Sequence, residues 1–594
     1  MSGSESNTGV ARFAMADGAA SPVFSADGRS IHHLRGGSMP QLWTMARDGS
    51  AARPLALLGE KVGFLRRAPK DERIIFGIDA GGDERQQFWM VENGQVRPLT
   101  SDGHVIHEFG CWSPDGTEFA YTANDRDEAH FDVLLRDAAG STRRLACGVH
   151  QVTAPAWHPT RRVLLLMVNA VEGDQRLSLL DIDDGTQTPI PHAQPVQFQS
   201  VRWSSDGTHL LGLSDGGGEF SALCRIDAAA GTITTLVSVP GADLDAWSLS
   251  PDGSHLAVIE NDRGWARLRV GPAGSLPPVV DLPPGLVSDL AWSPDGKTLA
   301  VCLASPTQPP GIHLLEIATG GWQCAWQPDA PADARPFALV EWQSEDGRRI
   351  PGWMAKPAGT APEAGWPTVV WVHGGPAGQT RANWRPDMQM LLAQGYAVLM
   401  PNVRGSTGYG RIATASDDGA LRPGSVDDLA AAHAWLVRQP GLDPARIGIM
   451  GQSYGGYMVL AAITRYPSLW RAAIDFYGIA DFTTLLAGTG PWRRAHRGWE
   501  YAGGPHDTLA AAELFATISP IVRAAEITAP LLVLHGTRDP RVPFGESEQI
   551  VTALRDRDHP VRFERFDYAG HGFIRPADRC RAYAAVAAFL REWL

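Results

Sequence analysis

Ile447-Gly448-Ile449-Met450-Gly451-Gln452-Ser453-Tyr454-Gly455 reads as an apolar strand that turns sharply into a helix with a serine at the apex, the pattern of a nucleophile elbow. The flanking glycines have a physical task, since a serine oxygen that projects clear of a sheet from a strained turn needs neighbours without bulk. The pentapeptide alone is weak. With 64 glycines in 594 residues, a Gly-x-Ser-x-Gly match arises by chance roughly 0.4 times in such a chain. Its surroundings decide the fold.

Around it, strands and helices alternate. Phe337–Trp342 and Arg349–Met354 read as an opening hairpin, and Thr368–Val372 and Ala397–Met400 as buried parallel strands. The helical stretch Ser425–Leu436 leads to the strand before Ser453, and further strands follow at Ala472–Phe476, Pro530–Leu534 and Val561–Phe566. This βαβ alternation predicts a doubly wound, mostly parallel sheet over 337–594, with Ser453 at a strand's carboxyl end, where such sheets bind ligands.

A serine hydroxyl is a poor nucleophile at neutral pH unless a base takes its proton, and the base needs a carboxylate to orient it. The chain order for such a sheet is Ser, Asp, His. Asp539 falls in the loop after the Pro530–Leu534 strand, and His571, within Ala569-Gly570-His571-Gly572, in the loop after the next strand. His535, beside its strand, reads as a packing or loop-bonding residue. Two donors must face the developing oxyanion. The backbone N–H of Tyr454 supplies one, and His373-Gly374-Gly375-Pro376, after the Thr368–Val372 strand, supplies the other, with Gly375 preferred over Gly374 and His373 stabilising the loop.

The first half is repetitive. Ser25-Ala26-Asp27-Gly28, Ser113-Pro114-Asp115-Gly116, Ser204-Ser205-Asp206-Gly207, Ser250-Pro251-Asp252-Gly253 and Ser293-Pro294-Asp295-Gly296 are tight turns leading into strands. Degenerate copies at Asp71 and Thr160 complete a series at 27, 71, 115, 160, 206, 252 and 295, with steps of 44, 44, 45, 46, 46 and 43 residues. That is the length of a four-stranded propeller blade, and seven positions predict a seven-bladed β-propeller over 1–325, with about 1–15 as a flexible N-terminus. Trp112, Trp157, Trp203 and Trp292, at a fixed place in their repeats, read as inter-blade packing. Asp79-Ala80-Gly81-Gly82-Asp83-Glu84 lacks the ligand spacing of a calcium or phosphate loop and reads as a hairpin loop between blade strands. The Pro/Ala-rich segment 326–336 reads as a linker between two domains.

Composition excludes several function classes. A net charge of −13 opposes a phosphate-backbone partner, so no nucleic acid is expected. No run approaches 18 apolar residues, and the N-terminus has no signal-peptide character; neither a membrane nor export is expected, and a cytoplasmic protein is. Six cysteines without a C-x-x-C pair predict buried free thiols, with no metal and no redox motif. No cofactor is required by this serine chemistry.

A seven-bladed propeller followed by an α/β-hydrolase with Gly-Gln-Ser-Tyr-Gly-Gly, His-Gly-Gly-Pro, Asn402-Val403-Arg404-Gly405-Ser406-Thr407-Gly408-Tyr409-Gly410 and Asp539-Pro540-Arg541-Val542-Pro543 resembles the prolyl oligopeptidase family of serine peptidases over nearly the whole chain. Within it the acylaminoacyl-peptidase and dipeptidyl-aminopeptidase-like branch is the nearest, because His373 stands where prolyl oligopeptidase proper carries an oxyanion-binding tyrosine. The resemblance implies that Arg541 bonds a substrate carbonyl near the scissile bond and that Val542 and Ile479 line the pocket for the residue before that bond. Trp492 falls within a couple of positions of a pocket tryptophan of the family, in a segment, 488–494, that departs from the family pattern.

The activity implied is hydrolysis of short peptides, of oligopeptidase, aminopeptidase or acylaminoacyl-peptidase type, with the propeller as a lid that limits substrate size. A carboxylesterase, amidase or acyltransferase on a small non-peptide metabolite would use the same triad, and a non-catalytic propeller scaffold would leave Ser453 inert to a fluorophosphonate. An aminopeptidase also needs an acid to hold the substrate amine; acids occur in many propeller loops, among them Asp125, Asp127, Glu128 and Glu172, and the sequence singles out none of them. A homo-oligomer remains open.

Overall fold

In the computed structural model, which describes residues 10–148, 150–171, 174–192 and 195–594, the chain forms a seven-bladed propeller and an eight-stranded α/β sheet. Each blade is an antiparallel sheet of consecutive strands, the first spanning Ala19–Ala56 and the seventh Leu286–Trp326. Each Ser-x-Asp-Gly turn joins a blade's first and second strands, and its serine hydroxyl donates to the aspartate two residues on at 2.6–2.7 Å. The turn glycines are left-handed, and neighbouring turns stack. A Cβ on Gly28 (φ +71°) would lie 3.3 Å from Pro294 of the seventh blade.

Blades one and seven close the ring by side-chain packing: Phe24, Ile31 and Met45 meet Cys302, Ile312 and Leu314 in one buried cluster. The tryptophans sit between blades, the indole N–H of Trp292 donating to Ser248 O at 3.3 Å and Trp203 meeting His158 edge-on at 4.6 Å. The sixth blade has three strands instead of four. Its would-be outer strand runs through Pro277-Pro278 and Pro283-Pro284, which carry no N–H for a ladder, and only an isolated bridge, Arg269 to Val279, forms there.

The second domain's strands are β1 (Ala338–Gln343), β2 (Arg349–Ala355), β3 (Trp366–Val372), β4 (Ala397–Pro401), β5 (Leu442–Gln452), β6 (Ala473–Phe476), β7 (Leu531–Gly536) and β8 (Val561–Phe566), in the order β1-β2-β4-β3-β5-β6-β7-β8. The pairs β1–β2 and β2–β4 are antiparallel and the rest parallel. Two apolar clusters cover the sheet's faces.

The N-terminus departs from the expected flexible tail. Residues 10–14 are helical, and Val10, Phe13 and Ala14 are buried in the cluster formed by Trp353, Val398 and Leu534 of the second domain. Their apolar side chains gain more from that cavity than the chain loses in freedom; residues 1–9 lie outside the described residues. The cysteines also differ in part from expectation: Cys224 and Cys302 are buried, whereas Cys147 and Cys324 are exposed. Among the described residues no helix is long and apolar enough to cross a membrane.

The two domains meet through ion pairs and backbone bonds. Arg575 reaches Glu60 at 2.7 Å, the Gly570 N–H donates to Gly81 O at 2.9 Å, and Asn261 donates to Gln379 at 2.9 Å. The Asp79–Glu84 loop is a hairpin of the second blade and lies against this interface.

Candidate active site

Ser453 stands between β5 and the helix α1 (Tyr454–Arg465) with φ 59° and ψ −123°, a strained backbone for a residue with a side chain. Close approach makes its neighbours glycines: a Cβ on Gly451 would lie 2.3 Å from Gly455 O, and one on Gly455 2.2 Å from Val372 O. The Ser453 N–H donates to Phe476 O at 2.9 Å, which ties the elbow to β6.

The sheet brings three sequence-distant groups together. His571 Nε2 lies 2.9 Å from Ser453 Oγ, and His571 Nδ1 lies 2.7 Å from Asp539 Oδ2. The other Asp539 oxygen accepts the backbone N–H groups of Arg541 at 2.8 Å and Val542 at 3.0 Å. Burial by itself would raise the Asp539 pKa, but the His571 charge and hydrogen bonds from His535 and His571 outweigh it and hold the carboxyl far below its usual range. It stays ionised, so the imidazole keeps its Nδ1 proton on Asp539 and turns Nε2 to the serine.

The two other histidines serve the loops. His535 is fully buried, paired with Ser547 Oγ at 2.7 Å and Val542 O at 3.0 Å, and so braces the Asp539 loop. His373 bridges Gly374 O at 2.8 Å and Ser406 Oγ at 2.9 Å, and burial pushes its pKa down. The loop it braces carries Gly375 to the rim of the cavity that Ser453 lines. Tyr454 is the first residue of α1, where an N–H has no intrahelical partner.

That cavity, of about 350 Å³, is lined by Ile479, Leu485 and Val542 together with Arg541. A larger one of about 710 Å³ adjoins it at Ala377 and Glu500 and is lined by both domains. A third, of about 630 Å³ and likewise lined by both domains, reaches His571 from another side.

Trp492 is a correction. It packs against the propeller cluster of Ile106, Val152 and Trp157 and does not line the cavity. The reason is helical geometry: on α2 (Pro491–Ala502) the residues facing the cavity are Arg493, His496, Arg497, Glu500 and Tyr501, spaced i, i+3, i+4, i+7, i+8, and Trp492 lies about 100° around from Arg493. That polar stripe is visible in the sequence, but the sequence does not tell which partner it faces.

Asp125, Asp127 and Glu128 are exposed on the third blade, with Asp125 paired to Arg144 at 2.9 Å, and Glu172 lies outside the described residues. A propeller acid that reaches the site is Glu84, hydrogen-bonded to Arg541 Nε and 3.7 Å from Arg493. Its backbone, at φ 61°, is left-handed.

Residues 383–594 match the family model described as the prolyl oligopeptidase family. A dipeptidyl aminopeptidase of Pseudoxanthomonas mexicana is 27% identical over 546 residues, covering 88% of this chain and 79% of that protein. The acylamino-acid-releasing enzyme of Sus scrofa is 26% identical over 292 residues, covering 47% of this chain and 40% of its own. Among solved structures, a puromycin hydrolase superposes with a TM-score of 0.86 at 21% identity, over 98% of this chain and 96% of that one, a likeness of fold.

Proposed function

Since the chain belongs, through residues 383–594, to the prolyl oligopeptidase family of serine hydrolases, we propose that it is a peptidase of short peptides whose triad is Ser453, His571 and Asp539. One observation carries the reading: His571 lies within hydrogen-bond reach of both Ser453 Oγ and Asp539, at 2.9 and 2.7 Å, beside a cavity that Ser453 itself lines.

In the proposed mechanism Ser453 Oγ attacks the scissile carbonyl as its proton passes to His571 Nε2, and Asp539 stabilises the imidazolium. The Tyr454 and Gly375 N–H groups take the oxyanion. The imidazolium then gives its proton to the leaving amine. Water, deprotonated by the same nitrogen, hydrolyses the acyl-enzyme and restores Ser453. Arg541, beside Ser453 and steadied by Glu84, is suited to bond a substrate carbonyl. Val542 and Ile479 contact the residue before the scissile bond.

The propeller acts as the lid. Cavities lined by both domains flank the triad, so a folded protein is excluded and a short, extended peptide is admitted. The two relatives' names, a dipeptidyl aminopeptidase and an acylamino-acid-releasing enzyme, support cleavage near a peptide's amino end. The test is a peptide-library digest with wild type and Ser453→Ala, using free and blocked amino termini. Wild type is expected to cleave short peptides and the variant none; ester turnover without peptide cleavage would overturn the reading.

A further inference from the structure

The cavity beside Ser453 carries more cationic character than an apolar side chain needs. Its guanidiniums are not equally compensated. Arg497 is hydrogen-bonded to Glu500, and Arg541 to Glu84. Arg493 has Glu84 at 3.7 Å, beyond hydrogen-bond distance, and shares that carboxylate with Arg541. Burial first, and then the like charges of Arg497 and Arg541, push its pKa down to about 10. It is therefore still charged at neutral pH, in a place where another carboxylate would be welcome.

We infer that this cavity receives a side-chain carboxylate on the residue whose carbonyl Ser453 attacks, and that Arg493 binds it. The proposal rests on the peptidase reading and deepens it. An acidic side chain suits this mixed lining: its methylenes can pack on Ile479, Leu485 and Val542, and its carboxylate can meet the planar guanidinium fork. A basic side chain finds no such partner, because Glu500 and Glu84 are already held by arginines.

The test compares glutamyl, glutaminyl and leucyl substrates as p-nitroanilides and as p-nitrophenyl esters. None has a C-terminal carboxylate, so a preference for an acid can arise only from the side chain. Glutamyl over glutaminyl is expected to be favoured about 10- to 100-fold in kcat/KM, the worth of one charge-assisted pair. Arg493→Gln is expected to bring the ratio close to one. Glu84→Gln is expected to raise it, because it removes the competing carboxylate, and a gain of discrimination is not a consequence of misfolding. A ratio within one protein also cancels any inactive fraction. An arginine that served only to bridge the domains would leave the ratio unmoved by Arg493→Gln, and that result, or a wild type indifferent to the charge, overturns the inference. Cleavage of leucyl but not glutamyl anilides would sink this proposal while the peptidase reading stood. Turnover of esters alone would sink the peptidase reading while the ester ratio still tested Arg493.

Discussion

The phenol of Tyr454 donates to Asp417 Oδ2 at 2.8 Å and accepts from Arg422 at 2.6 Å, so the residue after Ser453 is pinned by its side chain to a buried ion pair. Arg422 is fully buried and also donates to Glu500 O at 2.9 Å, which ties α2 to the same anchor. The proposed oxyanion donor is thereby fixed from beneath. Arg422→Met leaves Asp417 buried without the cation that offsets its burial, a loss of about 3–5 kcal/mol. Tyr454→Phe removes only the hydroxyl and is expected to cost about 1–3 kcal/mol. Thermal unfolding and kcat measured together check both, and the kcat of Tyr454→Phe is expected to fall more than its KM rises.

Asp539→Asn tests how the base is oriented. The Arg541 and Val542 N–H groups both point at one oxygen of residue 539. An asparagine must keep its carbonyl oxygen toward those two donors, which turns its NH2 toward His571 Nδ1. The imidazole then moves its proton to Nε2 and can no longer accept one from Ser453. The expected drop in kcat is about 10⁴-fold with the fold retained. Hydrolysis of a good substrate by the purified variant, with its melting temperature as control, gives the answer.

What was legible in the sequence divides by distance along the chain. The blades were, because each Ser-x-Asp-Gly turn writes its hydrogen bonds within a few residues. The elbow was, because its steric demands fall on immediate neighbours, and Asp539 and His571 stand in loops directly after their strands. Glu84 was not. It reads as one more polar loop residue, and only the docking of the two domains carries it to Arg541. The stripe on α2 was visible, but which side faced Ser453 depends on a helix orientation that tertiary packing sets; the tryptophan beside the stripe was the more conspicuous residue and turned the other way. The three-stranded sixth blade has a local cause in Pro277, Pro278, Pro283 and Pro284, which the even spacing of the repeats does not disclose.

Phe13 measures the N-terminal correction. It is 1% exposed and packed in the second domain's cluster, so the segment before the first blade belongs energetically to the catalytic domain. Phe13→Ala is expected to destabilise that domain by about 3–5 kcal/mol through lost burial and the cavity it leaves. Limited proteolysis should find the variant's second domain cut sooner than wild type, with the propeller's resistance little changed. A variant as resistant as wild type would mean that the segment is not bound there in solution.

Asp475 gives the pH dependence. It is fully buried at the end of β6; Oδ1 accepts the Gly478 N–H at 2.8 Å, and Oδ2 has no partner among the described residues. Burial pushes its pKa up to about 7 from an ordinary 3.8. Between those values the folded protein holds a proton that the unfolded chain has released, so stability falls as pH rises. The contribution is complete below about pH 4, fades through the window up to about 7, and is absent above it. Asp475→Asn has no proton to lose. Its pH-independent effect on packing cancels in a comparison across pH, and the variant should gain on wild type by about 2–4 kcal/mol between pH 4 and pH 8. Melting temperatures of the two proteins across that range decide it: curves that stay parallel would show that the carboxyl is ionised throughout, and a gap that widens from pH 4 to about 7 and then levels off is the expected result.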